Sequence, residues 1–154
     1  MNSVLRTVYR SHCPTKSELA HRESALKNLE SYLKSNFDSK IKLVLFGSSR
    51  NGFGFKGSDM DLCLLFDDHP TEPPEKYNNP IKGKILLFNL EICIILVIQK
   101  LAEILKNCRD DSKFFIKSVI PITQAKVPIV KFEYVFNKVE YEGDISYYNI
   151  LGKN

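Results

Sequence analysis

Apolar residues recur three and four positions apart through residues 17–37, where Leu19, Ala25, Leu26, Leu29 and Leu33 share one side and Lys, Arg and Glu take the other. That period predicts an amphipathic helix, capped by Thr15 or Ser17 with Pro14 just before. The pattern then changes. IKLVLF at 41–46 and MDLCLLF at 60–66 are short runs of strand-forming residues and predict two strands. Residues 47–55 between them are turn-like. Residues 67–80 hold four prolines, acidic residues and paired asparagines, which predicts a surface loop. A second helix is expected over 84–107, where QKLAEILKN is amphipathic. Further strands are expected at 119–123, 126–136 and 140–146, and residues 147–151 begin an element that does not finish. Pro128 cannot donate to a ladder, so it marks an edge or a bulge. Helix, strand pair, helix, strand pair predicts an α+β domain whose mixed sheet of about four to five strands is flanked by helices.

Composition narrows this only a little. A chain of 154 residues fits one domain and can bury roughly 70% of its unfolded surface. The formal charge of +4 permits a polyanionic partner without selecting one. Residues 85–98 are nearly all apolar, broken by Asn89 and Glu91, yet fall short of the ~18 consecutive apolar residues of a spanning helix. A buried helix is expected there ahead of a short buried strand or a membrane-inserted segment, and no membrane partner is expected. Cys13, Cys63, Cys93 and Cys108 match neither a zinc spacing nor a dense disulfide framework. They read as reduced thiols, with Cys63 and Cys93 as small packing residues. Residues 1–13 have no apolar core of a secretory signal.

The chemistry concentrates in residues 43–66, LVLFGSSRNGFGFKGSDMDLCLLF. Asp59 and Asp61 stand at i and i+2 at the head of a strand, so they project to one face. Adjacent carboxylates repel and raise each other's pKa. A hard cation such as Mg²⁺ would relieve that and leave positions open for phosphates. Two solvated acids at a strand entrance are the plain alternative. Gly47 allows close backbone approach, and the Ser48 and Ser49 hydroxyls with nearby N–H groups can bind phosphate oxygens. An ordinary serine-capped turn would look the same. Together, a phosphate-binding turn and a metal-binding acid pair form a coherent site. Arg50, Lys56, Lys126 and Lys131 could touch phosphate, and Phe53 and Phe55 could stack on bases or pack in the core.

Phe46-Gly47-Ser48, ten intervening residues and Asp59-Met60-Asp61-Leu62 resemble the signature of DNA-polymerase-beta-like nucleotidyltransferases. Within that superfamily the chain is most similar to the noncanonical poly(A) polymerases and terminal uridylyltransferases. FGSSRNGFGFKGSDMDLCL is close to the wording of the zinc-knuckle uridylyltransferases that tail microRNA precursors and messenger RNAs. A second block, PITQAKVPIVKFEY followed by EGDISYYN, agrees in order. The resemblance covers roughly residues 19–66 and 101–149.

The resemblance implies a nucleotidyltransferase palm using two metal ions, Mg²⁺ or Mn²⁺. Asp59 and Asp61 would hold both, and Asp144, the third acid, would hold the ion beside the primer. By its own spacing Asp144 is only an acid after a glycine, as in a turn. Gly47, Ser48 and Ser49 would cradle a nucleoside triphosphate, with UTP favoured over ATP, and an RNA 3′ end would be extended in the cytoplasm. Relatives continue into a helical second domain that reads the base. The chain is therefore expected to be a single palm, truncated after its third acid, with an insertion at 72–99. The alternatives are a noncanonical poly(A) polymerase, or a catalytically incomplete module that only binds.

Overall fold

The computed structural model describes residues 3–4, 14–46, 59–78, 89–108 and 114–148. Helix α1 spans Lys16–Asn36. Thr15 caps it: its hydroxyl accepts from the Glu18 N–H at 3.1 Å, and Glu18 accepts from the Thr15 N–H at 2.8 Å. This reciprocal box satisfies two donors that the first turn cannot use. Replacing Thr15 by alanine is expected to cost about 1 kcal/mol, readable as a lowered urea midpoint with unchanged slope. Arg22, Ala25, Leu29 and Leu33 form the buried stripe, whereas Leu19 is 37% exposed. The expected face is thus rotated at its first turn.

Five strands follow: β1 (Ile41–Leu45), β2 (Met60–Phe66), β3 (Phe114–Ile122), β4 (Ile129–Phe136) and β5 (Val139–Tyr147). Their order is β1-β2-β5-β4-β3. Only β2 and β5 run parallel, at the centre; the other pairs are antiparallel. The β4–β5 turn places Asn137 and Lys138 at φ 47° and 69°, as a two-residue hairpin turn compatible with strand twist requires. A one-turn helix, α2 (Glu75–Asn78), lies inside the stretch expected to be loop.

Helix α3 spans Asn89–Lys106. Of the apolar stretch, residues 85–88 and the side chains of 89 and 90 lie outside the described residues; in the rest Cys93, Val97 and Ile98 are covered, while Ile92 and Leu96 are 49% and 45% exposed. No helix among the described residues is long and apolar enough to cross a membrane. Cys63, Cys93 and Cys108 are buried; Cys13 lies outside the described residues. Strand β3 starts five residues earlier than expected, because the bulge between Ile116 and Ser118 interrupts the alternation. Strand β4 starts just after Pro128 and is an interior strand. The proline therefore precedes the ladder instead of marking an edge or a bulge.

Alternation sorts the sheet into two faces. Ile41, Leu43, Met60, Leu62, Leu64, Phe66, Val130, Phe132, Tyr134, Ile145 and Tyr147 join one core with α1 and α3. Tyr134 donates to Asn28 Oδ1 on α1 at 2.6 Å, and Tyr32 donates from α1 to the Ile104 carbonyl on α3 at 2.8 Å. Both helices thus cover the same face. The intervening strand positions, among them Asp61, Lys131 and Asp144, project to the other.

Candidate active site

Asp59 immediately precedes β2, and Asp61 is its second residue. Asp61 pairs in register with Asp144 across the parallel β2–β5 junction, and Asp144 pairs with Lys131 across the antiparallel β5–β4 junction. Registered partners share a face, so Asp61, Asp144 and Lys131 form a row on the face away from the helices. The separation of Asp61 and Asp144 in sequence is closed entirely by this parallel pairing. The Phe46 N–H donates to the Asp61 carbonyl at 2.8 Å, so the end of the β1 segment is fastened at the same level. Gly47, Ser48 and Ser49, with Arg50, Phe53, Phe55 and Lys56, lie outside the described residues.

Asp59 and Asp61 are exposed and Asp144 is half-buried. Burial pushes the Asp144 carboxyl above the usual carboxylate range; Lys131 opposes this, and Asp61 and Asp59 add to it. Asp144 Oδ1 is buried and has no hydrogen-bond partner among the described residues. A buried, unsatisfied carboxylate oxygen is costly, and it is the kind of atom a hard cation would satisfy. Among the described residues no three His, Cys, Asp or Glu side chains close into a ready-made metal cage. An open set of carboxylates suits Mg²⁺ nonetheless, because that ion keeps waters and takes substrate phosphates as ligands.

Clefts among the described residues lie elsewhere. One of about 570 Å³ sits between α1 and the β4–β5 hairpin, beside His21, Arg22 and Tyr141. Another, about 650 Å³, lies at the far end of β2 beside Lys40, Asp68 and His69. Neither is lined by Asp59, Asp61 or Asp144. The sequence reading gave Gly143 no role of its own, although it placed the residue in an expected strand. It sits within β5, opposite Met60 and Phe132. A glycine inside an otherwise strand-like run is itself a sign of close backbone approach.

The mixed five-stranded sheet, with helices on one face and acids on its central strands, has the fold of a nucleotidyltransferase palm. The chain belongs to the family described as "Poly(A) RNA polymerase, mitochondrial-like, central palm domain", whose model matches residues 1–154. It is 37% identical to terminal uridylyltransferase 4 of mouse and of human over 154 residues, which is 100% of this chain and 8% of those proteins. The chain thus spans a small part of the relatives it matches. Its fold is similar to that of mtPAP solved with ATPγS, at TM-score 0.71 and 22% identity, covering 98% of this chain and 30% of that one. It is also similar to the Cid1 poly(U) polymerase solved with Mg and 3′-dATP, at TM-score 0.62 and 22% identity, covering 96% of this chain and 36% of that one.

Proposed function

We propose that this palm serves an RNA 3′-terminal nucleotidyltransferase that adds UMP from UTP. The observation that carries the reading is the row of Asp61 and Asp144 on one open face, with an unsatisfied carboxylate oxygen in it. The 37% identity to terminal uridylyltransferase 4 favours UTP. The description of the matching family and the ATPγS-bound mtPAP favour a second reading, transfer of AMP from ATP.

In this proposal Asp59, Asp61 and Asp144 hold Mg²⁺ or Mn²⁺, and Gly47, Ser48 and Ser49 bind the triphosphate through hydroxyls and backbone N–H groups. Bound there, the ions supply charge neutralisation and a more acidic 3′-hydroxyl. The RNA 3′ oxygen forms a bond to the α-phosphorus, the bond to pyrophosphate breaks, and the hydroxyl proton leaves to solvent. The protein's share is orientation: β2 and β5 fix two acids at one level of a rigid sheet. The buried thiols suit a reducing cytoplasmic setting.

The test incubates the chain with a short 3′-hydroxyl RNA, Mg²⁺ and each nucleoside triphosphate separately. Extension with UTP is expected. Extension with ATP instead selects the second reading, and no extension with any nucleotide selects the catalytically incomplete module that only binds.

A further inference from the structure

The cleft of about 570 Å³ between α1 and the β4–β5 hairpin lies apart from the acids and contains a cation without an anion. Arg22 lines it and is only 8% exposed, yet makes no ion pair or hydrogen bond among the described residues. Burying a guanidinium without a partner is costly. The other charges of the cleft are differently placed. Lys117 is bonded to Glu140 at 3.2 Å. Glu18 accepts from the Thr15 N–H in the helix cap. Glu140 and Glu142 alternate with Tyr141 along β5, and Glu133 is the cross-strand partner of Glu142. These acids therefore project to the sheet face away from α1. Arg22 is the unmatched charge on the helix side.

Two rings stand beside it. His21 Nδ1 is hydrogen-bonded to the Tyr141 hydroxyl, and the two rings stack with centroids 5.8 Å apart. Phe136 packs on His21 at 5.2 Å. Burial pushes the Tyr141 phenol up from its ordinary pKa; the Arg22 charge opposes this and Glu18 adds to it. The guanidinium is thus within electrostatic reach of the phenol. With Nδ1 accepting the phenol proton, the ring's own proton sits on Nε2. That makes Nε2–H a second donor beside the guanidinium. Val139 and Pro14 add apolar wall, and the volume is that of a small-molecule site.

We propose that this cleft binds a small carboxylic acid, its carboxylate held by Arg22 and the His21 Nε2–H and its apolar body lying against Tyr141 and Val139. The planar guanidinium fork matches a carboxylate. The acids on the far wall count against highly charged ligands such as nucleoside triphosphates or RNA. The site is therefore separate from the transfer chemistry at Asp59, Asp61 and Asp144.

The test titrates sodium phenylacetate into the chain by calorimetry, with phenylacetamide as the uncharged control and phenyl phosphate as the more highly charged one. Saturable binding of phenylacetate is expected, with the amide about tenfold weaker, the loss of one charged contact. Phenyl phosphate binds more weakly than phenylacetate. Arg22→Met keeps the apolar stem and removes the charge. It should weaken phenylacetate binding by about the same factor, while the melting temperature without ligand stays level or rises, because a buried unpaired charge is gone. Tyr141→Phe keeps the stacked ring but frees the His21 tautomer, and weakens binding severalfold. It decides the matter if Arg22→Met does not fold. No binding of phenylacetate, equal binding of the amide, or unchanged affinity in the variants overturns the site. Tighter binding of phenyl phosphate overturns the carboxylate as its ligand. Displacement of phenylacetate by UTP with Mg²⁺ places the probe at the acids and overturns it as well.

Discussion

Asp61→Ala is expected to abolish nucleotidyl transfer while leaving the fold as stable as before or slightly more so. The loss follows from charge neutralisation at the reacting phosphates, worth several kcal/mol, or roughly 10³-fold in rate or more at a factor of ten per 1.4 kcal/mol. The stability side follows from the same geometry. Asp61 is exposed and stands beside Asp144, whose carboxyl is pushed upward chiefly by burial, against the pull of Lys131 and with Asp61 and Asp59 adding to the push. A carboxyl raised in the folded state costs the ion-free fold nothing below its unfolded pKa of about 3.9. The cost grows as pH rises through the folded value. Thermal melts without metal should therefore show the stability of Asp61→Ala relative to wild type rising as pH rises out of the acid range. Mg²⁺ added at neutral pH should raise the melting temperature of wild type and have little effect on the variant. A variant that still transfers nucleotide, or that responds to Mg²⁺ as wild type does, would sink the assignment of Asp61.

How legible the molecule was from its sequence varied with the kind of interaction. Strand β2 was read with its observed bounds because MDLCLLF is apolar on both faces after its acids, and Met60–Phe66 sits between β1 and β5. Helix α1 was read within a residue at each end, since its apolar period and its cap are local features; of the two caps offered, Thr15 is the one used. Its buried face was misjudged at Leu19, where the helix turns Arg22 inward; nothing local in the chain announces that. Asp59 and Asp61 could be paired by spacing alone. Asp144 could not, because its place beside Asp61 comes from a parallel pairing of β2 with a strand far along the chain. Non-local register carries no local pattern, so only the family resemblance reached it. The half-exposed α3 misled differently: a run of Ile and Leu predicts burial all round, yet Ile92 and Leu96 face outward.

Gly143 is where that non-local pairing is most vulnerable. A Cβ built there would lie 2.6 Å from the Met60 carbonyl oxygen and 2.9 and 3.0 Å from two atoms of the Phe132 ring. The ring belongs to a core side chain with no exposure, and the carbonyl belongs to β2 itself, one residue from Asp61. Neither can yield cheaply. Gly143→Ala is expected to cost about 3 kcal/mol, in the upper range for overpacking a closed site, seen as a lowered denaturant midpoint. The larger consequence is for the site. Relief of the backbone clash moves β5 away from β2 at the level where Asp144 meets Asp61. Transfer, or Mg²⁺-dependent stabilisation, should therefore fall well beyond the loss of folded protein, measured at a temperature where the variant is fully folded. Adding Phe132→Leu separates the two contacts. It opens space where the ring stood but leaves the Met60 carbonyl in place. Stability should recover in part in the double variant, while Mg²⁺ stabilisation stays low. Full recovery of both would mean that the ring, and not the approach of the two central strands, is what demands glycine here.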